Sequence, residues 1–189
     1  NYQSARVRAY AVQPEDWPAY LAYLQGTYRD VTQDNPPGTK VLDTRVAIGG
    51  EPDAMVETVV DLSAFKEQGQ RHLVLVIQPE VGLLASLRGQ TPPVYRLWVQ
   101  MSDLAVDAMT DSEEMLAWAT SLADGSALEG VELALYPGGA TARTAADGLA
   151  RLPLAASTDG DQGGYVIARL GDDAALLPEQ AWGLWTSWF

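Results

Sequence analysis

Hydrophobic and polar positions alternate with a period of two over many short runs of this 189-residue chain, and turn-forming residues separate the runs. Residues 5–12 (ARVRAYAV) interleave Arg6 and Arg8 with small and apolar side chains, as a half-buried strand does. The period then changes. In PEDWPAYLAYLQG, Trp17, Tyr20, Leu21 and Leu24 fall at i, i+3, i+4 and i+7, which predicts a short amphipathic helix with Asp16 as N-cap, Pro18 in the first turn and Gly26 at its end. The polar stretch 27–38, closing on Pro36, Pro37 and Gly38, predicts a loop. Residues 40–48 predict a strand, 49–53 a turn, and 54–62 (AMVETVVDL) a further strand, because Val56, Val60 and Leu62 oppose Glu57 and Asp61. HLVLVIQP then supplies an almost continuously apolar strand that ends at Pro79.

Gly82, Gly89 and the pair Pro92 and Pro93 mark residues 82–93 as a linker. Beyond it, Tyr95, Leu97, Val99 and Met101 alternate with Arg96 and Gln100, Leu104, Val106 and Ala108 with Asp103 and Asp107, and Val131, Leu133 and Leu135 flank Glu132. Leu116, Trp118 and Leu122 share a face, and Trp118 and its strand neighbours are expected to belong to the core. Asp124–Gly125, Pro137–Gly138–Gly139 and Asp147–Gly148 separate these runs, and Asp147–Gly148 predicts a two-residue hairpin turn, a geometry that needs positive φ. Strands at intervals of roughly 8 to 12 residues indicate antiparallel sandwiches. The expected architecture is all-β: two tandem antiparallel β-sandwich domains, immunoglobulin- or fibronectin-like, the first with a short inserted helix. Their bounds are 1–81 and 94–178, with the linker 82–93 between them and an aromatic tail, 179–189, leading to a next domain.

Composition narrows the function classes. A formal net charge of −13 repels phosphate backbones and anionic headgroups, so neither nucleic acid nor a membrane surface is an expected partner of this fragment. The absence of cysteine removes thiolate nucleophiles, cysteine-ligated zinc and disulfides together. No run of about 18 apolar residues occurs. The chain opens on Asn1 rather than methionine, which reads as a piece excised from a longer polypeptide.

Candidate chemistry is sparse. His72, the sole histidine, has no evident serine or aspartate partner and is expected to pack or lie at the surface. TDGDQGG, residues 158–164, has an acidic cadence but lacks the remaining calcium ligands, and reads as a loop. Asp111, Glu113 and Glu114, and likewise Asp172 and Asp173, are too close in sequence for the opposed carboxylates of a glycosidase, since neighbours on a strand point to opposite faces. GGATA near Gly138 lacks the lysine of a phosphate loop. No residue is assigned a catalytic, cofactor-binding or metal-ligating role.

A resemblance sharpens this. Val99, Gln100, Asp103 and Leu104, then Trp118, Thr120, Leu122, Gly125, Leu128 and Gly130, then Thr144, Asp147, Gly148 and Leu149, and finally Ala168, Arg169, Gly171, Asp172, Asp173, Ala174 and Leu176 resemble the successive motifs of a macroglobulin-type domain in the bacterial alpha-2-macroglobulin family. Ser102, Ala105 and Ala145 depart from that pattern. The first segment resembles the preceding domain of the same family more diffusely. The resemblance implies a non-catalytic scaffold fragment of a periplasmic protein that traps proteases after they cut an exposed bait segment, with lipoprotein anchoring of the parent left open. Implied partners are the neighbouring domains of the same polypeptide and, through the full-length protein, the target proteases. The family's thioester needs a C-x-E-Q signature; Glu179–Gln180 stands here without a cysteine. The tail carries Trp182, Trp185, Trp188 and Phe189, which suit packing against a neighbouring domain. The alternative reading is an adhesin or carbohydrate-binding module with Trp182 and Trp185 as sugar platforms.

Overall fold

The structure is a computed structural model that describes residues 2–29, 34–49, 55–81, 89, 92–136, 139–154 and 164–178. It is mostly β, all strand pairs are antiparallel, and the chain divides into two units at Met101/Ser102.

The first unit holds one four-stranded sheet in the order β2-β1-β3-β4, from β1 (Ser4–Val12), β2 (Thr39–Ala47), β3 (His72–Pro79) and β4 (Tyr95–Gln100). Both of its faces are covered. A 3-10 turn (Pro14–Asp16) leads into α1 (Trp17–Arg29), whose Trp17, Tyr20, Tyr23 and Leu24 pack on Tyr10, Val12, Val74, Val76 and Trp98. The opposite face gathers Ala9, Ala11, Leu73, Leu75 and Val99 beneath Leu62 and Phe65, the latter on the short helix α2 (Ser63–Glu67). This explains the apolar run in β3: Val74 and Val76 serve one layer, Leu73 and Leu75 the other, and all four are buried.

Several local expectations change here. Asp16 does not cap α1 from outside; its carboxylate reaches back to the backbone N–H of Gln13 at 2.9 Å, fixing the 3-10 turn. Gly26 does not stop the helix, which continues to Arg29. Residues 55–62 form no strand. Met55 is fully exposed and Val59 is 76% exposed, because alternation marks the side a strand would bury but cannot supply a sheet edge to pair with. The largest correction concerns residues 94–101. Tyr95–Gln100 pairs with β3 from Ile77↔Tyr95 to His72↔Gln100, so the strand expected to open the second domain completes the first sheet. The carbonyls just before and within this edge strand are occupied by side chains: the Arg96 guanidinium donates to Val94 O and the Tyr20 hydroxyl to Arg96 O.

The second unit is a two-sheet sandwich. One sheet, in the order β5-β6-β9, comprises β5 (Leu104–Thr110), β6 (Glu114–Ser121) and β9 (Leu149–Pro153). The other, β11-β10-β7-β8, comprises β7 (Glu132–Tyr136), β8 (Thr141–Arg143), β10 (Tyr165–Leu170) and β11 (Asp173–Pro178). Its core sets Met115, Ala117, Ala119, Ala150 and Leu152 of the first sheet against Leu133, Leu135, Val166, Ala168 and Ala175 of the second. The period-two reading of β6 had the right pairing and the wrong side. Met115, Ala117 and Ala119 face inward, while Trp118 lies on the outer face and is 50% exposed.

Asp147–Gly148 makes a tight turn but not a hairpin. The Gly148 N–H donates to Ala145 O at 2.9 Å, yet β8 and β9, on either side, belong to different sheets, so the turn carries the chain across the sandwich. Gly148 has φ +76°, and a Cβ there would lie 2.7 Å from Ala119 O. Glycine is required twice over, by φ and by the close approach. The two-residue hairpin falls instead at Gly171–Asp172, between the paired Leu170 and Asp173.

Candidate functional site

The most developed polar arrangement of the first unit lies between α1 and its sheet. Arg8 projects from β1 toward α1 and is 8% exposed, and its guanidinium pairs with Asp34. Asp34 also accepts from the Tyr23 hydroxyl at 3.1 Å, and that hydroxyl accepts from Arg96 Nε at 2.9 Å. The Arg96 guanidinium further sits 5.6 Å from the centre of the Tyr23 ring. Burial pushes the Tyr23 phenol pKa up against the opposing pull of Arg96, so the ring stays neutral and free to donate. For Arg8, burial is the largest influence and works against the charge, but the hydrogen bond to Asp34 and the attraction of the nearby negative charge together outweigh it and the guanidinium remains charged. The network joins β1, α1, β4 and the segment after the helix. It has the character of a structural clasp: Arg8 is paired with Asp34, and Arg96 is held by the Tyr23 hydroxyl and ring and by the Val94 carbonyl.

The other singled-out residues resolve into structure. His72 is buried at the start of β3, its ring 5.9 Å from that of Trp98. Asp111 accepts from the backbone N–H groups of Glu113 and Glu114 at 2.7 and 2.8 Å, closing the β5–β6 turn, and these bonds hold its carboxyl below the usual carboxylate range. Glu114 pairs with Arg151 across the β6–β9 ladder. Asp173 accepts from Asp103 N at 2.7 Å, tying the start of β11 to the start of β5. Among the described residues no group of three or more His, Asp or Glu side chains converges on a metal position. No described helix is long and apolar enough to cross a membrane. Most of TDGDQGG, and all of Glu179, Gln180, Trp182, Trp185, Trp188 and Phe189, lie outside the described residues.

A buried side chain that the sequence marks only as a motif residue proves central. Thr144 is 4% exposed; its hydroxyl donates to Leu128 O at 2.6 Å and accepts from Val131 N at 2.9 Å. Its own backbone adds Thr144 N to Val131 O and receives Gly130 N. One residue thus pins the approach to β7 against the crossover turn. A signal was present in the sequence, a threonine set three residues before Asp147–Gly148, but spacing alone could not show the facing segment.

Two surface features remain. A groove of about 520 Å³ runs over β7, β8 and β10, with the Glu132–Arg143 ion pair in its wall. At one end the rings of Tyr136 and Tyr165 stack 5.0 Å apart, 6° from parallel. The second feature is the outer face of β5-β6-β9, where Trp118 stands between Asp107 and Leu149 on the neighbouring strands, and Leu116 between Met109 and Arg151.

Comparison with known proteins places this arrangement. Residues 101–186 match the family described as the bacterial alpha-2-macroglobulin MG3 domain, a span that begins at the boundary between the two units. The chain is similar to a crystal structure of native alpha-2-macroglobulin from Escherichia coli spanning domains MG0-NIE-MG1, with a TM-score of 0.62 and 20% identity, covering 94% of this chain and 55% of that one. A second structure of the same Escherichia coli protein, spanning NIE-MG1, matches with a TM-score of 0.62 and 18% identity over 94% of this chain and 84% of the other. This chain therefore spans little more than half of the longer relative, and at these identities the structural likeness is one of fold. No curated protein matches. The sequence match and the structural matches name different domains; at 18–20% identity the structural likeness is one of fold alone, so the sequence match carries the assignment of residues 101–186. Residues 101–186 thus match the bacterial alpha-2-macroglobulin MG3 domain family by sequence, and nearly the whole chain is similar in fold to the Escherichia coli alpha-2-macroglobulin structures.

Proposed function

We propose that this chain is a non-catalytic scaffold segment of a bacterial alpha-2-macroglobulin-like protease inhibitor, working in the periplasm within a larger polypeptide. The observation that carries the reading is the match of residues 101–186 to the MG3 domain family. The geometry is in keeping with it: the polar contacts of Tyr23, Asp34, Asp103, Asp111, Thr144 and Asp173 serve turns and clasps that hold strands in place. In this role the chain sets the positions of neighbouring domains, and capture of the protease is a property of the whole molecule.

The test uses the full-length parent. Pre-incubated with a protease, it should shield that protease from a macromolecular inhibitor or substrate while leaving cleavage of a small chromogenic peptide intact. The 189-residue chain alone should give neither effect. A parent that leaves large-substrate cleavage unchanged overturns the proposal, and so does an isolated chain that inhibits by itself.

A further inference from the structure

The outer face of the β5-β6-β9 sheet is more apolar than a solvated face needs to be. Met109, Trp118 and Leu122 are 71%, 50% and 64% exposed, and Leu116 and Leu149 complete the patch across all three strands. Exposed single hydrophobics are ordinary; a contiguous cluster around a half-exposed indole is how docking surfaces are built, since large aromatics surrounded by water-excluding neighbours dominate binding energy.

The charges around the cluster say what kind of partner fits. On the β9 side, Arg151 is already neutralised by Glu114. On the β5 side, Asp107 lies directly across the ladder from Trp118, and its carboxylate accepts only from the backbone N–H of Ala108, at 2.8 Å, making no ion pair among the described residues. The patch therefore has an apolar centre with an uncompensated anionic flank. A second copy of this chain fits poorly, because two molecules of net charge −13 repel each other. We propose that this face docks a protein surface carrying an apolar cluster flanked by lysine or arginine. A cation from the partner meets Asp107 while apolar side chains cover Trp118, Met109 and Leu122. The inference is independent of the protease-trapping reading, which concerns the whole parent.

The test titrates the 189-residue chain with two designed 14-residue amphipathic peptides that share a leucine face, one bearing lysine and one glutamate on the polar side. Backbone and indole NMR shifts are followed, with sedimentation of the chain alone as a control. The expected result is saturable binding of the lysine peptide with shifts centred on Asp107, Met109 and Trp118, and no binding of the glutamate peptide. Trp118→Ser and Met109→Ser should each weaken binding by about tenfold or more, in line with a truncated anchor. Asp107→Lys should reverse the preference between the peptides. Either of the two apolar variants suffices if the other fails to fold. Equal binding of both peptides overturns the proposal, as does lysine-peptide binding that no variant weakens, absence of binding, or a concentration-dependent dimer abolished by Trp118→Ser.

Discussion

Replacing Thr144 by valine preserves side-chain shape and removes a single oxygen. In the second unit that oxygen satisfies two backbone groups, Leu128 O and Val131 N, within a region where Thr144 is 4% exposed and Val131 is fully buried. A buried polar group left without a partner costs about 1–3 kcal/mol, so two cost roughly 2–6 kcal/mol. The added methyl returns at most about 0.8 kcal/mol by burial. The expected loss is therefore roughly 1–5 kcal/mol, a large share of the about 5–15 kcal/mol that a domain typically holds. Thr144→Ser is the matched control: it keeps the oxygen, loses one methyl and should cost about 1 kcal/mol. Urea unfolding read from the methyl resonances of Leu133 and Leu152 reports on this unit without interference from the first. With a denaturant slope of about 1–1.5 kcal/mol/M, the valine variant's midpoint should fall by roughly 2 M. A valine midpoint that coincides with that of the serine variant would refute the reasoning, since it would mean the hydroxyl contributes nothing that the surrounding backbone cannot replace.

Further perturbations address the other devices. Gly148→Ala should destabilise the second unit by about 1–3 kcal/mol, through strain at positive φ and the clash with Ala119 O, measured by the same unfolding curve. Asp34→Asn leaves the Arg8 charge under α1 without its counter-ion; because the Asp34 side chain is 32% exposed, the expected cost is about 1–3 kcal/mol rather than the full value for a buried pair, and hydrogen exchange in β1 should rise with it. Leu73→Ala, at a fully buried position of β3, should cost about 2–5 kcal/mol in thermal or urea unfolding of the first unit. Acid should destabilise both units. Asp43 is held below the usual carboxylate range by Arg6, Glu80 by the Ser4 hydroxyl and Asp124 by Ser126, so the unfolded chain binds protons first. Stability from these groups is present above about pH 4–5 and falls as pH drops through and below that range, which a urea midpoint series at decreasing pH would record.

What could be read from the sequence was periodicity and turn chemistry; what could not was the identity of the facing surface. The pattern in HLVLVIQP announced an almost continuously apolar strand, and β3 is one; the structure supplies the reason, which is that the run is buried on both faces. In residues 54–62 the same alternation misled, since a strand exists only where an edge receives its hydrogen bonds. Trp118 shows the limit in another form. Alternation groups Leu116 with Trp118 and Met115 with Ala117, but only the partner sheet decides that small alanines line the inside, where two sheets approach closely, and that the indole stays out. The Arg8–Asp34–Tyr23–Arg96 clasp was invisible for the same reason: its members are up to 88 residues apart in sequence and meet only through the sheet order and the return of the chain after α1. Thr144 stood as a motif residue without its reason, the Leu128 carbonyl and Val131 amide, and Gly148 with only half of its own, positive φ and not the nearby Ala119 carbonyl; these groups come from segments more than a dozen residues away.

The placement of β4 bears on how this protein can be taken apart. A fragment cut in the glycine- and proline-rich stretch before residue 94 would leave β3 as a raw edge along its length and strip α1 of Trp98, the ring against which Trp17 and Tyr20 rest at 5.4 and 5.5 Å. Such a truncation invites foreign strands to the exposed ladder, whereas a cut after Met101 keeps the fourth strand and the side chains that occupy its carbonyls. The natural seam of this molecule is therefore a two-residue junction with no linker composition at all.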